Sequence, residues 1–451
     1  MLSAVRARLQ GRLLMASMTR SFSSLPAEVE EVISAASSPA PSVRPAFSHT
    51  PAGRNHLFVP GPVNIHENVL RAMQVPGQNH RDPWFADFYK KCLQDLKLIF
   101  GTKEGTTIIF PGTGTGGWES ALTNTLSPGD KVVTFRYGLF SHLWIDMMQR
   151  LGLDVTVIEG RWGDGAYEDR LAEVLRADTE KKIKAVCVVH NETTTGVTSD
   201  IPEVRKTLDA ANHPALLLVD GVSSIGALDF QFDRWRVDVA VTGSQKALSI
   251  PTGLAMVCAS DKALQAMKTA TSRRVYYDFA DMLRTNPTGN VPYTPILPLL
   301  YGMEASLKLL AEEGMPNVAA RHHRLAEGCR RAVEGWGLQT LCRDPRWKSD
   351  SLTVIEVPAG FDSQKVVDVA YAKYNLSLGI GLADVKGKVF RIGHLGNMDE
   401  LMLSSALCGA EMALVDAGVP VVPGSGVSRA IEYWQQTSKV IPTRESLVQQ
   451  Q

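Results

Sequence analysis

An excess of charge of either sign is missing from this 451-residue sequence, because its 47 Lys and Arg residues equal its 47 Asp and Glu residues. Proteins that bind nucleic acid or an anionic membrane usually carry a basic excess, so we expect neither partner. No apolar run reaches the roughly 18 residues that a membrane-spanning helix needs. The six cysteines show neither a CxxC motif nor a short paired spacing. We therefore expect reduced thiols, no structural disulfide and no metal site.

Acidic residues are absent from the start of the chain. Residues 1–24 contain four arginines and no acid, and apolar residues recur at spacings of three and four between Leu2 and Leu13. An arginine-rich, acid-free, amphipathic start is typical of a mitochondrial transit peptide, which we predict over residues 1–24. Residues 25–53 are rich in Ala, Ser and Pro without periodicity, and we predict that they form a linker.

The rest of the chain is longer than one ordinary hydrophobic core, which predicts two domains. From Thr107 to Cys258 short apolar runs alternate with helical patterns. This alternation predicts an α/β fold with a mostly parallel sheet that helices cover on both faces. We predict an N-terminal arm and large domain over 54–315, a smaller C-terminal α+β domain over 316–425 and a polar tail over 426–451.

The stretch from Leu216 to Lys246 carries the strongest chemical signal. Its two apolar runs, Leu216–Val219 and Val237–Val241, have the length and branching of buried parallel strands. Asp220 ends the first run and Lys246 lies just past the second, at the strand ends where open α/β sheets bind ligands. Pyridoxal phosphate needs a lysine for a Schiff base and an acid for its pyridinium nitrogen. The pair therefore predicts this cofactor.

A Gly/Thr-rich loop, Gly112–Gly117, lies between a predicted strand, Thr107–Phe110, and a predicted helix, Trp118–Leu126. Glycines let backbone N–H groups approach an anion, and the start of a helix adds a favourable dipole. The loop lacks the lysine of a Walker motif and does not match the dinucleotide-binding fingerprint. We predict that it binds the phosphate of the cofactor.

With both stretches in place, the chain resembles the class V, fold-type I pyridoxal-phosphate aminotransferases, and within them the serine–glyoxylate and alanine–glyoxylate branch. The resemblance covers residues 54–425 and is carried, in order, by FVPGPVNI, NHRDP, GTGTGGWE, HNETTTGV, VTGSQKALSIPTG and FRIGHLGNM. Several such motifs in the right order are specific, whereas any one of them would be weak. The resemblance implies a large domain with a mostly parallel sheet and a smaller C-terminal domain.

The resemblance also implies roles for individual residues. Lys246 would bind the cofactor and then carry the proton, and Asp220 would keep the ring nitrogen protonated. Arg391 would bind the substrate α-carboxylate in a bidentate pair, and His80 lies in a loop that faces the substrate in this family. The other implied cofactor contacts are Phe140 and Val222 on the ring, Thr193 at the ring hydroxyl, Thr113, Gly114, Thr115 and Gln245 at the phosphate, and Thr294 at the phosphate of the neighbouring subunit.

The implied reaction is ping-pong transamination of glyoxylate to glycine, with L-serine or L-alanine as amino donor and the pyridoxamine form of the cofactor between the two halves. The implied assembly is a homodimer with shared active sites. Plant peroxisomal relatives end in a targeting tripeptide that this sequence does not show, which also favours mitochondria. A same-fold lyase or cysteine desulfurase stays open, with Cys342 as its loosely suitable nucleophile. A non-catalytic scaffold of this fold is disfavoured because both Lys246 and Asp220 are present.

Overall fold

The structure, a computed structural model, describes residues 53–438. The predicted transit peptide, all of the predicted linker except Gly53, and the tail beyond residue 438 lie outside the described residues. Within the described part of the chain, no helix combines the length and apolar character needed to cross a bilayer.

Strands and helices alternate along the first two thirds of the described chain. The strands are β1 (His56–Phe58), β2 (Thr106–Pro111), β3 (Lys131–Arg136), β4 (Asp154–Glu159), β5 (Ile183–Val189), β6 (Asn191–Glu192), β7 (Val197–Thr198), β8 (Leu216–Asp220), β9 (Val239–Gly243), β10 (Leu254–Ala259), β11 (Gln339–Thr340), β12 (Leu352–Glu356), β13 (Leu376–Ile380) and β14 (Val389–Gly393). The helices are α1 (Glu67–Met73), α2 (Pro83–Phe100), α3 (Gly114–Thr125), α4 (Leu139–Arg150), α5 (Glu168–Ala177), α6 (Ile201–Ala210), α7 (Asp261–Met267), α8 (Phe279–Thr285), α9 (Leu297–Glu313), α10 (Met315–Gly335), α11 (Ser363–Tyr374), α12 (Glu400–Asp416) and α13 (Ser425–Thr437).

The larger sheet has seven strands in the order β2-β10-β9-β8-β5-β3-β4. Five of them, β9 through β4 in that order, pair in parallel, as the βα alternation predicts. Strand β10 is antiparallel to both of its neighbours. The reason is local: β9 ends at Gly243 and β10 begins at Leu254, a connection too short for the crossover that parallel strands require. This reversal carries Lys246.

Buried apolar residues explain why the larger sheet forms. Every residue of β8, β9 and β10 is buried, as expected for strands that helices cover on both faces. Their side chains join those of α2, α3 and α4 in one continuous core. Parallel strands whose carboxyl ends share one edge then bring Asp220 and the residues after Gly243 to the same side of the sheet.

The smaller sheet has the order β1-β13-β14-β12-β11 and packs with α10 to α13 around a second core. Its first strand comes from the N-terminal arm: His56 to Phe58 pair in parallel with Leu376 to Leu378. We predicted this arm as part of the large domain, and the structure instead places its strand on the smaller sheet. A three-residue strand carries too little apolar pattern for its partner to be read from sequence.

Two further boundaries differ from the prediction. The predicted tail begins inside α13, a helix that packs through Trp434 into the second core. Apolar residues at Val427, Ala430 and Trp434 carry the helical spacing that this prediction overlooked. Helix α3 begins at Gly114 rather than at the predicted Trp118, so the Gly-rich loop itself forms the first helical turn.

Candidate active site

Lys246 lies in the reversal between β9 and β10. Its carbonyl accepts the Ser249 N–H at 2.9 Å. Ser249 has a left-handed backbone, with φ of +50°, and its Oγ accepts the Asn397 N–H at 2.9 Å. Left-handed geometry is uncommon for a residue with a side chain, so the surrounding contacts must hold this turn in place. The backbone that presents the lysine is thereby tied to the loop after β14.

The N-terminal arm lies directly against the amine. Lys246 Nζ donates to the Pro60 carbonyl at 2.5 Å. Gly61 has a φ of +126°, which favours glycine, and a Cβ added there would lie 2.6 Å from Lys246 Cδ and 2.7 Å from Nζ. The Pro-Gly-Pro segment of the FVPGPVNI motif therefore belongs to the lysine pocket, a role that sequence reasoning missed.

Burial shifts the lysine toward its neutral form. The Lys246 side chain as a whole is half-buried, but protein atoms surround the amine. Desolvation, and then the positive charge of Arg391, lower the pKa of Lys246 to about 8, while Asp220 and Glu192 oppose them. A substantial fraction of the amine is then unprotonated near neutral pH, as a nucleophile or base requires.

Asp220 ends β8 and is 4% exposed. Its Oδ1 accepts the backbone N–H of Val222 at 2.8 Å. Burial raises the pKa of Asp220 to about 7, and the Val222 N–H, the Trp118 side chain and Lys246 oppose that rise only in part. A buried acid with so few partners gains most from a cationic group placed beside it, such as a protonated ring nitrogen.

Arg391, in the middle of β14, is 7% exposed. Its Nε donates to the Ile380 carbonyl at 2.8 Å, and one terminal nitrogen donates to the Thr193 carbonyl at 2.9 Å. Burial lowers the pKa of Arg391 to about 10, so the guanidinium stays charged. Its three other N–H groups have no protein acceptor within residues 53–438 and suit a ligand carboxylate.

The start of α3 offers a cradle for an anion. Thr113 precedes the helix, and no side-chain cap satisfies the N–H groups of its first turn. A Cβ on Gly114 would lie 2.6 Å from Val222, so only glycine allows this approach. On the other side Gly243 brings Gln245 near the same turn, and the Oε1 of Gln245 is buried without a partner. The free N–H donors fit a phosphate, and the Gln245 amide fits it once its NH₂ rather than its oxygen faces the cradle.

The structure brings most of the predicted site residues together, but not all of them. Phe140 lies half-buried in the first turn of α4, and Thr193 is buried beside Arg391. His80 instead packs edge-on against Phe85, with ring centroids 6.1 Å apart, and Thr294 is exposed in the segment before α9. In the described part of the chain neither forms a hydrogen bond with Lys246, Asp220 or Arg391. The cradle, lysine, acid and arginine together fit the needs of pyridoxal phosphate.

The family model for class V aminotransferases matches residues 64–381. The chain belongs to this family. It is 56% identical over 389 residues to a serine–glyoxylate aminotransferase from Methylorubrum extorquens, covering 85% of this chain and 97% of that protein. It is 49% identical over 385 residues to an L-aspartate–glyoxylate aminotransferase from Paracoccus denitrificans, covering 85% and 97%. The solved alanine–glyoxylate aminotransferase from Nostoc superposes with a TM-score of 0.76 at 29% identity, over 82% of this chain and 97% of that one.

This class V aminotransferase has site neighbours that its sequence did not reveal. A Cβ added to Gly112 would lie 2.7 Å from the Tyr277 hydroxyl, and one added to Gly116 would lie 2.4 Å from it. Tyr277 therefore covers the start of α3. Tyr277 follows Val275 and Tyr276 in the sequence, and no sequence signal links it to the loop. Glu192 lies in the HNETTTGV motif, after the predicted strand that ends near His190, and the sequence indicated no role for it.

The cysteine considered for desulfurase chemistry is unsuited to it. Cys342 is 3% exposed and packs with Val197 and Trp347. Burial raises the pKa of this thiol to about 11, so the nucleophilic thiolate is scarce at neutral pH. All six cysteines are free thiols, in line with the predicted reduced state. His394, in the FRIGHLGNM motif, is fully buried, and its Nε2 lies 2.9 Å from Thr353 Oγ1.

Proposed function

We propose that this aminotransferase binds pyridoxal 5′-phosphate and transfers the amino group of L-serine or L-alanine to glyoxylate, which yields glycine. The observation that carries the proposal is the Lys246 amine, which donates to the Pro60 carbonyl and feels the charges of a buried acid, Asp220, and a buried guanidinium, Arg391. The glyoxylate specificity is supported by the names of the relatives, which share about half of their residues with this chain over nearly their full length.

Lys246 is the proton carrier in this proposal. Its pKa of about 8 leaves both protonation states populated at physiological pH, so one group can accept and return a proton. The cofactor, when bound, supplies the electron sink that stabilises the carbanion at the substrate Cα. Asp220 serves that sink by placing a negative charge where the ring nitrogen must stay protonated. Phe140, Val222 and Thr193 line the ring position, and Gly114 and Gln245 line the phosphate position.

Arg391 orients the substrate. Two of its N–H groups are fixed by the Ile380 and Thr193 carbonyls, so the fork is held before a substrate arrives. A fixed guanidinium binds a carboxylate in a bidentate pair at a low entropic cost. Glyoxylate, serine and alanine all carry that carboxylate on a small body, and the Gly, Ser and Thr residues around Lys246 suit small substrates.

A homodimer completes the proposal. Thr294 is exposed within one subunit, and exposed apolar side chains lie nearby in the chain, at Val275, Tyr276 and Ile296. Tyr276 stacks on Tyr293 with centroids 5.0 Å apart, so these segments form one surface. An exposed apolar surface of this kind favours burial against a second copy, which would bring Thr294 to the neighbouring active site. Sedimentation velocity of the purified protein tests the dimer, and a monomer at micromolar concentration would contradict it.

Delivery to mitochondria is proposed from residues 1–24. Their arginines and apolar spacing suit import, and they lie outside the described residues. A fusion of residues 1–30 to a fluorescent reporter should label mitochondria. A fusion with the four arginines replaced by glutamine is the matched control, and labelling that is unchanged by this replacement would contradict the proposal.

Steady-state kinetics test the reaction. Glycine formation from glyoxylate should be fast with serine or alanine, and aspartate is a third arm because one relative is named for it. Sulfide release from cysteine is a fourth arm, which tests the desulfurase alternative. Turnover with aspartate but with neither serine nor alanine would show that aspartate is the amino donor. Inertness to all three amino donors would contradict the proposed function.

A further inference from the structure

A buried glutamate lies beside the site but has no part in the chemistry proposed above. Glu192, in β6, is 0% exposed. Its hydrogen-bond partners are backbone N–H groups. A buried carboxylate is costly unless its oxygens are satisfied, so its presence next to Arg391 calls for a role.

The two oxygens of Glu192 bind two different segments. Oε2 accepts the Ser141 N–H at 2.9 Å in the first turn of α4, and Oε1 accepts the Thr194 N–H at 3.0 Å in the turn after β6. A carboxylate accepts on both oxygens, whereas a carboxylic acid must donate from one. Burial raises the pKa of Glu192, whereas the Thr194 and Ser141 N–H groups and the dipole at the amino end of α4 favour the charged form.

Each of these segments carries a residue of the proposed site. Phe140 directly precedes Ser141. Thr193 directly precedes Thr194, and the Thr193 carbonyl is the acceptor that fixes Arg391 at 2.9 Å. Glu192 therefore joins the segment that lines the ring position to the segment that holds the carboxylate clamp.

We propose that Glu192 is a positioning residue that sets the separation between Phe140 and Arg391, and so the fit of the substrate carboxylate against the cofactor ring. This inference rests on the proposed function, because it concerns the same site.

Gly138 provides the space that Glu192 needs. A Cβ on Gly138 would lie 2.3 Å from Glu192 Cγ and 2.4 Å from Cδ. The Gly138 backbone is extended, with φ of 177°, so an alanine there meets no backbone strain. The main cost of Gly138→Ala is the displacement of Glu192, with its charge retained. Gly138→Ala therefore tests the position of the Glu192 carboxylate independently of its charge.

The chain offers a matched control in its second core. Glu411 is also a buried glutamate whose oxygens accept backbone N–H groups at the start of a helix, here Gly426 of α13 at 3.0 Å. It also accepts the Trp336 Nε1–H at 2.7 Å. Glu411→Gln therefore removes the same kind of group from a place where the proposed chemistry does not occur.

The experiment compares Glu192→Gln, Gly138→Ala and Glu411→Gln as cofactor-loaded enzymes. Glutamine keeps one acceptor oxygen but turns an NH₂ toward a second N–H donor, so it cannot hold both segments. For Glu192→Gln and Gly138→Ala we expect KM for donor and glyoxylate to rise about tenfold, the size of one lost charge-assisted hydrogen bond, with a smaller change in kcat. The visible circular dichroism of the bound cofactor should change as well. If Glu192→Gln does not fold, Gly138→Ala alone tests the inference.

Glu411→Gln should lower the melting temperature while KM and the visible dichroism stay as in the wild type. Wild-type KM and dichroism in Glu192→Gln and Gly138→Ala would overturn the inference. Glu411→Gln reproducing their changes would overturn it too, because the effect would then be general destabilisation. A wild-type enzyme without a cofactor signal or glyoxylate turnover would refute the proposed function itself, which is a distinguishable failure.

Discussion

Two buried clusters of charged groups respond to burial in opposite ways. Around Lys246, burial moves each group toward its neutral form: it lowers the pKa of Lys246 to about 8, raises that of Asp220 to about 7 and lowers that of Arg391 to about 10. Where α10 meets the segment before β12, burial opposes the charges of Arg330 and Asp350 as well. There the partners outweigh it, so the pKa of Arg330 is raised and that of Asp350 is lowered.

The number of partners explains the difference. Arg330 donates to Glu327 at 2.8 Å, to the Ser349 carbonyl at 3.1 Å and to Asp350 at 3.1 Å. Asp350 also lies 2.9 Å from His323 Nδ1. In the site, Asp220 and Lys246 have few partners and Arg391 keeps free donors, so the missing partners must come from ligands. Charged groups that lack protein partners indicate the functional site around Lys246, and charged groups with several protein partners indicate a structural role for Arg330 and Asp350.

The largest expected effect comes from removing the lysine. Lys246→Ala should lower the rate of glycine formation by about 10²–10⁴-fold or more, the usual contribution of a positioned acid–base group. Lys268→Ala, which removes an exposed lysine, is the control and should leave the rate unchanged. A Lys246→Ala enzyme with more than half of the wild-type kcat would end the catalytic assignment.

Breaking the cluster of Arg330 and Asp350 should instead lower the stability of the protein and leave its catalytic rate nearly unchanged. Asp350→Ala removes one of the two carboxylates that the buried Arg330 guanidinium contacts, and should cost about 1.5–3 kcal/mol in the free energy of unfolding, the size of a hydrogen bond between charged groups. Urea denaturation measures the loss. The kcat of the remaining folded protein should stay within about twofold of wild type, because the hydrogen bonds of Arg330 and of the Asp350 carboxylate do not involve Lys246, Asp220 or Arg391. A large fall in kcat without a loss of stability would show that Asp350 acts in catalysis, which would contradict the division into a catalytic and a structural cluster.

A smaller effect is expected when the arginine keeps its charge but loses its fork. Arg391→Lys should raise KM for glyoxylate about tenfold to a hundredfold, since a hydrogen bond to a charged group contributes about 1.5–3 kcal/mol. Arg331→Lys, at a half-exposed position of α10, is the matched control. An unchanged KM in Arg391→Lys would mean that another residue binds the substrate carboxylate.

The smallest effect is on the stability of the cofactor-free protein at different pH. Because the folded-state pKa of Asp220 is raised above its unfolded value, the native state holds its proton longer, and this aspartate makes stability fall as pH rises from about 4 to 7. Asp350, with a lowered pKa, contributes stability that is lost as pH falls below its unfolded pKa. Asp220→Asn should therefore stabilise the cofactor-free protein at pH 8 by on the order of 1 kcal/mol, and Asp350→Asn should destabilise it. Urea midpoints check both signs, and the same sign for both variants would contradict the comparison.

Much of the fold and the centre of the site could be predicted because they depend on local patterns. Apolar runs located β8 and β9, and strand ends placed Asp220 and Lys246 on one edge of the sheet. The resemblance supplied Arg391, whose position depends on a second sheet that periodicity alone could not orient toward the first.

What could not be predicted depends on contacts between distant parts of the chain. Pro60 contacts Lys246 although the two residues are 186 positions apart in the sequence, and no pattern in either segment predicts this contact. Tyr277 reaches the glycines of α3 in the same way. Glu192 was visible as a residue, but its role follows from two hydrogen bonds that form only after α4 and the turn after β6 pack together.

The most direct test of the account is a spectral titration of the purified, cofactor-loaded protein. Serine or alanine added without glyoxylate should remove the visible absorption of the bound cofactor, and glyoxylate added next should restore it. Lys246→Ala should show neither change at a comparable rate. A protein without visible absorption, or with absorption that neither amino donor alters, would contradict the claim that Lys246, Asp220 and Arg391 form a transaminase site.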